Sequence, residues 1–324
     1  MDAAPAVSTT AVRQDRGLLA TGIMAALLVA APWAGFYPVF LMKALCFALF
    51  ACAFNLLIGY GGLLSFGHAM FFGSASYVCA HAAKVWGLTP ELAILAGTFV
   101  SLLLGLGAGL LAIRRQGIYF AMITLAFAQM VYFLCVQMPF TGGEDGLQGI
   151  PRKPLFFGLL PTENDYTLYY VVLVIFLFGF GAIYRFIHSP FGQVLKAIRD
   201  NEQRALSLGY EADRYKLLAF VLSAAVAGLA GATKAMVVHF ATLTDVAAST
   251  SGEVVLMALI GGLGTITGPV VGGFVLVAMQ DYLAFVGQLV LVIQGAIFVV
   301  IVLGARRGLV GEFSAWWKAR RKPG

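Results

Sequence analysis

SPFGQVLKAIRDNEQRALSLG, Ser189 to Gly209, is the one long polar helical stretch in a chain that is otherwise almost all hydrocarbon. Ser189 suits a helix N-cap and Pro190 the first helical position. Phe191, Val194, Leu195 and Ile198 fall at i, i+3, i+4 and i+7, which gives one apolar face. Lys196, Arg199 and Arg204 point elsewhere. Asp200 and Gln203 have capping-box spacing, which predicts a break into a second short helix. Gly209 is a natural stop. A short amphipathic element between two apolar segments needs a surface. Two surfaces suit it: the lipid headgroup layer, or a partner subunit.

The rest of the chain supplies the context. Hydrophobic residues make up 60% and charged residues 11%, against about 25% charge in soluble domains. The composition therefore predicts an all-α polytopic membrane protein. The net charge of +6 does not point to nucleic acid, because the charges flank apolar segments. The polar start, 1–16, reads as a tail before a retained span rather than a cleaved leader. Cys46, Cys52, Cys79 and Cys135 lie in apolar runs with no metal-ligand spacing and read as small core residues.

A span needs about 20 apolar residues. Splitting the charge-free runs at Gly and Pro predicts passes at 17–34, 38–58, 63–83, 90–112, 117–138, 167–187, 215–239, 252–264, 267–286 and 288–305. These lie in a transmembrane domain, 17–305, with basic residues following in a tail at 306–324. The eighth pass is short and reads as half of a broken helix. With both ends in the cytoplasm, all basic residues but Lys43, Lys84, Arg152, Lys153 and Lys234 fall inside, which is 16 of 21. Lys43, Lys84 and Lys234 then lie near outer ends, where their stems can snorkel. The polar element at 189–209 becomes cytoplasmic. Passes 2–5 and 7–10 acquire opposite topology, the arrangement of an inverted repeat. LLIGYGG (56–62) and ALIGGLG (258–264) look alike but do not fall at equivalent places in that repeat.

Two glycine-rich stretches interrupt the apolar runs. Gly59, Gly61, Gly62 and Gly67 lie in the first, and Gly261, Gly262, Gly264 and Gly268 in the second. They are candidate hinges. Asn55, Ser65, His68, Thr124 and Gln129 are polar within apolar surroundings, so each bonds a neighbouring helix or lines a transport path. TGGEDG (141–146) is an external turn whose acids either contact a delivering protein or only solvate the turn. No G-x-x-x-x-G-K-[ST] loop is present to hold ATP, and no acidic pair sits mid-span. The energy source is expected on another subunit, and no cofactor is expected.

NLLIGYGGLLSFGHAMFFG, GIYFAMITLAFAQM, TGGEDGL, SPFGQVLKAIRDNEQRALSLGY, RYKLLAFVLSAAVAGLAGA and GGLGTITGPVVGG resemble the membrane permease of bacterial branched-chain amino acid ABC importers. The resemblance is to the LivM-like member of the permease pair and runs from about Asn55 to Gly311. It implies a bacterial inner-membrane transport subunit, not an enzyme. It implies a second homologous permease, two cytoplasmic ATP-binding subunits and a periplasmic substrate-binding protein. Importer permeases carry an E-A-A-x-x-x-G coupling pattern. Here it stands as Gln203 to Gly209, with Glu202 one residue before the position of the missing Glu. The resemblance thus implies coupling residues among Phe191, Gly192, Arg199, Glu202, Gln203, Ala205 and Gly209. Related permeases carry urea, short amides or other carboxylates, and a stand-alone secondary carrier is the rival outside the class.

Overall fold

The computed structural model describes residues 21–312 apart from 36, 152, 155–163, 288 and 305–307. The predicted tail at 1–16, the start of the first pass and most of 306–324 lie outside the described residues. The elements are α1 (Thr21–Trp33), α2 (Pro38–Asn55), α3 (His68–Lys84), α4 (Pro90–Ala112), α5 (Ile118–Gln137) and α6 (Asp165–His188). Then follow α7 (Pro190–Asp200), α8 (Glu202–Ser207), α9 (Ala212–Val238), α10 (Ala248–Gly261), α11 (Gly268–Tyr282) and α12 (Leu289–Gly304). A π-helical turn, Leu56–Tyr60, extends α2. Among the described residues, five helices are long and apolar enough to cross a membrane: α2 with its extension, α4, α5, α6 and α9.

α2 and α9 form the centre. α2 carries no polar face, and a helix apolar all round belongs in a protein interior; almost all its side chains are buried. It packs against α6, α9, α10 and α11, while α9 packs against α2, α3 and α4. Small residues make the α3–α4–α9 contact close. A Cβ on Gly231 of α9 would collide with the Phe72 carbonyl, and one on Gly97 of α4 with the Ala75 carbonyl. Ser101 of α4 donates to the Ala224 carbonyl at 2.8 Å and reaches the Phe71 carbonyl at 3.2 Å.

The helices depart from the predicted passes in instructive places. The third starts at His68 rather than 63, because residues 62–67 are not helical. The predicted short pass at 252–264 runs from Ala248 to Gly261 and stops where Gly262 takes φ 111°. The ninth ends at Tyr282, followed by a 3-10 turn at Ala284–Val286. α3, α10 and α11 have 17, 14 and 15 residues, each short of the roughly 20 of an upright crossing. The chain also holds a two-stranded antiparallel ribbon, β1 (Leu147–Gln148) with β2 (Phe240–Ala241), which hydropathy gave no sign of. It lies at the end of the bundle opposite α7 and α8.

Lys234 corrects one expectation. It does not snorkel: its side chain is 6% exposed and pairs with Asp245 at 2.8 Å. Lys43 meets Asp281 at 2.5 Å, and Lys84 donates to the Gln148 carbonyl at 2.7 Å.

Gly231→Val should lower stability by about 1–3 kcal/mol, the usual cost of overpacking. Gly181→Val, where no atom lies within 4 Å of an added Cβ, should leave it unchanged. Thermal unfolding of the detergent-purified chain checks both, and equal midpoints would contradict the close α3–α9 contact.

Candidate functional site

The polar element folds into the expected hairpin. Ser189 accepts from the Gly192 amide at 3.3 Å and caps α7. The second cap is Asn201, not Asp200: its side chain accepts from the Arg204 amide at 3.0 Å and starts α8. Gly209 closes the turn at φ 87°. The apolar face predicted for α7 points inward. Ile198 forms a small core with Ala205 and Ala212, with Val194 and Tyr215 packed on it, and Leu195 is buried.

Several expected coupling residues are thereby occupied inside the chain. Ala205 is buried rather than offered to a partner. Gly192 lies where a Cβ would strike the Phe186 and Ile187 carbonyls, so it serves packing. Phe191 stacks on Tyr215 with ring centroids 4.6 Å apart. Glu202 pairs with Lys216 of α9 at 2.5 Å and accepts from Gln116 of the α4–α5 turn at 3.0 Å. Gln203 is exposed. The outward surface of the hairpin is made by residues that the sequence reading did not single out, Leu206 and Leu208, 51% and 70% exposed. Large apolar side chains left outside an amphipathic turn were the signal available for them. A hollow of about 370 Å³ beside them is lined by Phe191, Gly209, Tyr210, Glu211, Arg214, Tyr215 and Leu218.

Arg199 connects the hairpin to the membrane helices. Its guanidinium donates to the Gly59 carbonyl, in the π-helical turn that ends α2. Its stem lies on Gly62, where a Cβ would come within 2.7 Å of Arg199 Cγ and where φ is 70°. Another residue type at that position would be strained as well as crowded. Asp200 accepts from Arg199 at 2.9 Å and holds its other edge.

The two glycine-rich stretches meet at this same end. A Cβ on Gly59 would lie 2.7 Å from the Gly264 amide nitrogen. Asn55 clamps the pair: Oδ1 accepts from the Gly264 amide at 3.0 Å and Nδ2 donates to the Thr265 carbonyl at 2.9 Å. Gly264 has φ 73°. Gly261 and Gly268 approach backbone to backbone across the same turn, the Gly268 carbonyl facing the position of a Gly261 Cβ. Gly61 lies 3.9 Å from Leu195 of α7 by the same measure. The likeness between 56–62 and 258–264 thus belongs to two segments in direct contact.

The other polar candidates satisfy backbone in the break before α3. Thr124 of α5 accepts from the Phe66 amide at 3.2 Å, Ser65 from the Gly67 amide at 3.2 Å, and Ser251 of α10 from the Ala69 amide at 2.9 Å. Gly67 packs against the Thr124 carbonyl. His68 is fully buried: its Nε2 bonds Ser223 Oγ at 2.9 Å, and Ser223 donates to the Ala53 carbonyl at 2.6 Å. Phe54, Phe71 and Phe220 surround the ring edge to face. Asn55, Ser65, His68 and Thr124 are each at most 3% exposed, so in this conformation they hold helices rather than line a path. Gln129 lies half-buried farther along α5. Among the described residues no His, Cys, Asp and Glu cluster could hold a metal.

A multi-pass helical bundle with bonded helix breaks and an ordered amphipathic hairpin at one end defines an all-α polytopic membrane protein. The chain belongs to the family described as "Branched-chain amino acid transport system / permease component", whose profile matches residues 37–302. It is 26% identical to the high-affinity branched-chain amino acid transport system permease protein LivM of Salmonella typhimurium, over 94% of this chain and 77% of that protein. It is 26% identical to LivM of Escherichia coli K12 over 79% of this chain and 65% of that one. The autoinducer 2 import system permease protein LsrC of Yersinia pseudotuberculosis is 25% identical over 65% of this chain and 60% of its own length. No solved structure matches the chain.

Glu202→Ala would leave the Lys216 ammonium buried without its carboxylate. It should cost roughly 2 kcal/mol, as for hydrogen bonds between charged groups. Gln203→Ala should stay within about 0.5 kcal/mol, as surface substitutions do. Thermal unfolding of the two variants distinguishes them, and equal effects would place Glu202 outside the hairpin's internal contacts.

Proposed function

We propose that this chain is the permease of an ATP-binding-cassette importer that carries branched-chain amino acids across the bacterial inner membrane. The observation that carries this reading is the α7–α8 hairpin. Its apolar Leu206 and Leu208 face outward, while Arg199 on its inner side grips the break at Gly59. The termini and the hairpin lie in the cytoplasm, as the distribution of basic residues favours. Partners are a second homologous permease, two cytoplasmic ATP-binding subunits and a periplasmic binding protein. The substrate follows LivM, which aligns with 94% of the chain, rather than LsrC, which aligns with 65%.

The inverted repeat pairs α2–α5 with α9–α12. Packing supports it: α3 lies on α4 as α10 lies on α11, α9 touches α3 and α4, and α2 touches α10 and α11. In each half a long helix is followed by a break and a short helix. The two breaks, 62–67 and 239–247, lie at opposite ends of the bundle.

Import then follows from geometry. Closure of the ATP-binding subunits moves the hairpin. Arg199 passes that movement to the Gly59 carbonyl, and Asn55 passes it on to Gly264 and Thr265. The glycine turns at 59–62 and 261–268 act as hinges, and the paired permeases exchange outward and inward openings. The hairpin has to favour one of two states only modestly, since coupling free energies are typically about 1–3 kcal/mol.

Leu206→Glu and Leu208→Glu alter exposed side chains and should leave the chain folded. They should abolish co-purification of the ATP-binding subunits and lower leucine uptake by about tenfold, the effect of roughly 1.4 kcal/mol. Normal assembly and uptake in both variants would remove the docking role.

A further inference from the structure

The end of the bundle opposite the hairpin holds a buried charge pair that the import cycle above does not use. Lys234 of α9 donates to both carboxylate oxygens of Asp245, at 2.9 and 2.8 Å. The two side chains are 6% and 7% exposed. Ser76 of α3 reaches Asp245 Oδ2 at 3.4 Å. The Thr242 amide donates to the same oxygen at 3.3 Å, and the Lys234 ammonium lies 4.7 Å from the Phe240 ring centroid. The next residue, Val246, is fully buried. It sits on the backbone of α3, where a Cβ on Gly73 would lie 2.8 Å from the Val246 nitrogen. Lys234 and Asp245 therefore fasten the joint between α9 and α10 onto α3.

A buried ion pair is a weak choice for permanent fastening. Desolvating two charges offsets their attraction, and apolar side chains of similar size often hold as well or better. A charge pair differs in being reversible, because water can solvate both groups once the joint opens. We infer that Lys234 and Asp245 are positioning residues of the external gate, a reversible lock that holds the 239–247 joint shut on α3 until the outer face opens. This rests on the reading that this end faces the outside and that the chain works by alternating access.

The lock predicts opposite effects from two variants. Lys234→Met alone strands the Asp245 carboxylate, which is then best served by water, so the joint opens. Lys234→Met with Asp245→Leu removes both charges and keeps the joint closed. The experiment labels Val246→Cys on intact cells expressing the assembled transporter, using a membrane-impermeant maleimide. The four native cysteines are buried, and each variant lacking the new cysteine is its blank. Labelling should rise by about tenfold in the single variant and stay at or below the starting level in the double variant, whose uptake should fall by about fivefold, shifts of the size that 1–2 kcal/mol produces. Labelling that changes the same way in both variants, labelling unchanged in the single variant, or full uptake in the double variant overturns the lock. Glu144→Cys, exposed at the same end, tests the underlying orientation. Its failure to label overturns that reading, whereas its labelling without the opposite responses overturns the lock alone.

Discussion

Backbone hydrogen bonding in a solvent without water is the constraint on which this structure depends. An apolar bundle can interrupt a helix only where protein groups take up the N–H and C=O groups set free. In the breaks around Gly62 and Gly264, side chains do this. Thr124, Ser65, Ser251 and Asn55 accept from the amides of Phe66, Gly67, Ala69 and Gly264. Arg199 covers the Gly59 carbonyl. The donors and acceptors come from α2, α5, α7 and α10, so each break is a junction of several elements rather than a flexible gap. That is why polar residues deep in an apolar chain are found here bonded, not facing open space.

The same bonds give the proposed coupling its physical route. Arg199 belongs to the hairpin, Gly59 to the end of α2, and Asn55 to α2 one turn earlier, with the α10–α11 turn as its partner. A displacement of the hairpin cannot leave these partners in place without breaking the hydrogen bonds to the Gly59 carbonyl, the Gly264 amide and the Thr265 carbonyl. Each unpaired group costs free energy comparable to a lost hydrogen bond. Local rigidity of the junction and mobility of the helices it joins are therefore compatible.

Much of the architecture was legible because hydropathy reports burial in lipid. The helices at Pro38, Pro90, Ile118 and Asp165 begin within two residues of where charge-free runs and prolines placed them. The hairpin was legible from Ser189, Pro190 and the spacing of Phe191, Val194, Leu195 and Ile198. The start of α3 was not, since 63–67 is as apolar as a helix and only Ser65 and Gly67 mark the interruption. The residue types of the site were legible, but their partners were not. Asn55 and Gly264 are 209 positions apart, and no local pattern joins them. The inward placement of Ala205 against Ile198 and Ala212 was not legible, because a small residue reads the same whether it faces a partner or a neighbouring helix. Lys234 looked like a snorkelling lysine because its partner, Asp245, lies beyond the end of its own helix.

Distance measurement between spin labels in the assembled transporter, with and without bound nucleotide, tests the central claim directly. Labels at Gln203 in α8 and Leu263 in the α10–α11 turn report the junction. A third label at Leu106 in α4 reports its motion against the bundle. All three positions are exposed. The account predicts that the Gln203–Leu263 distance stays constant while the Gln203–Leu106 distance changes on nucleotide binding. A change in the Gln203–Leu263 distance with Leu263–Leu106 fixed would contradict it, because the hairpin would then move without carrying the junction.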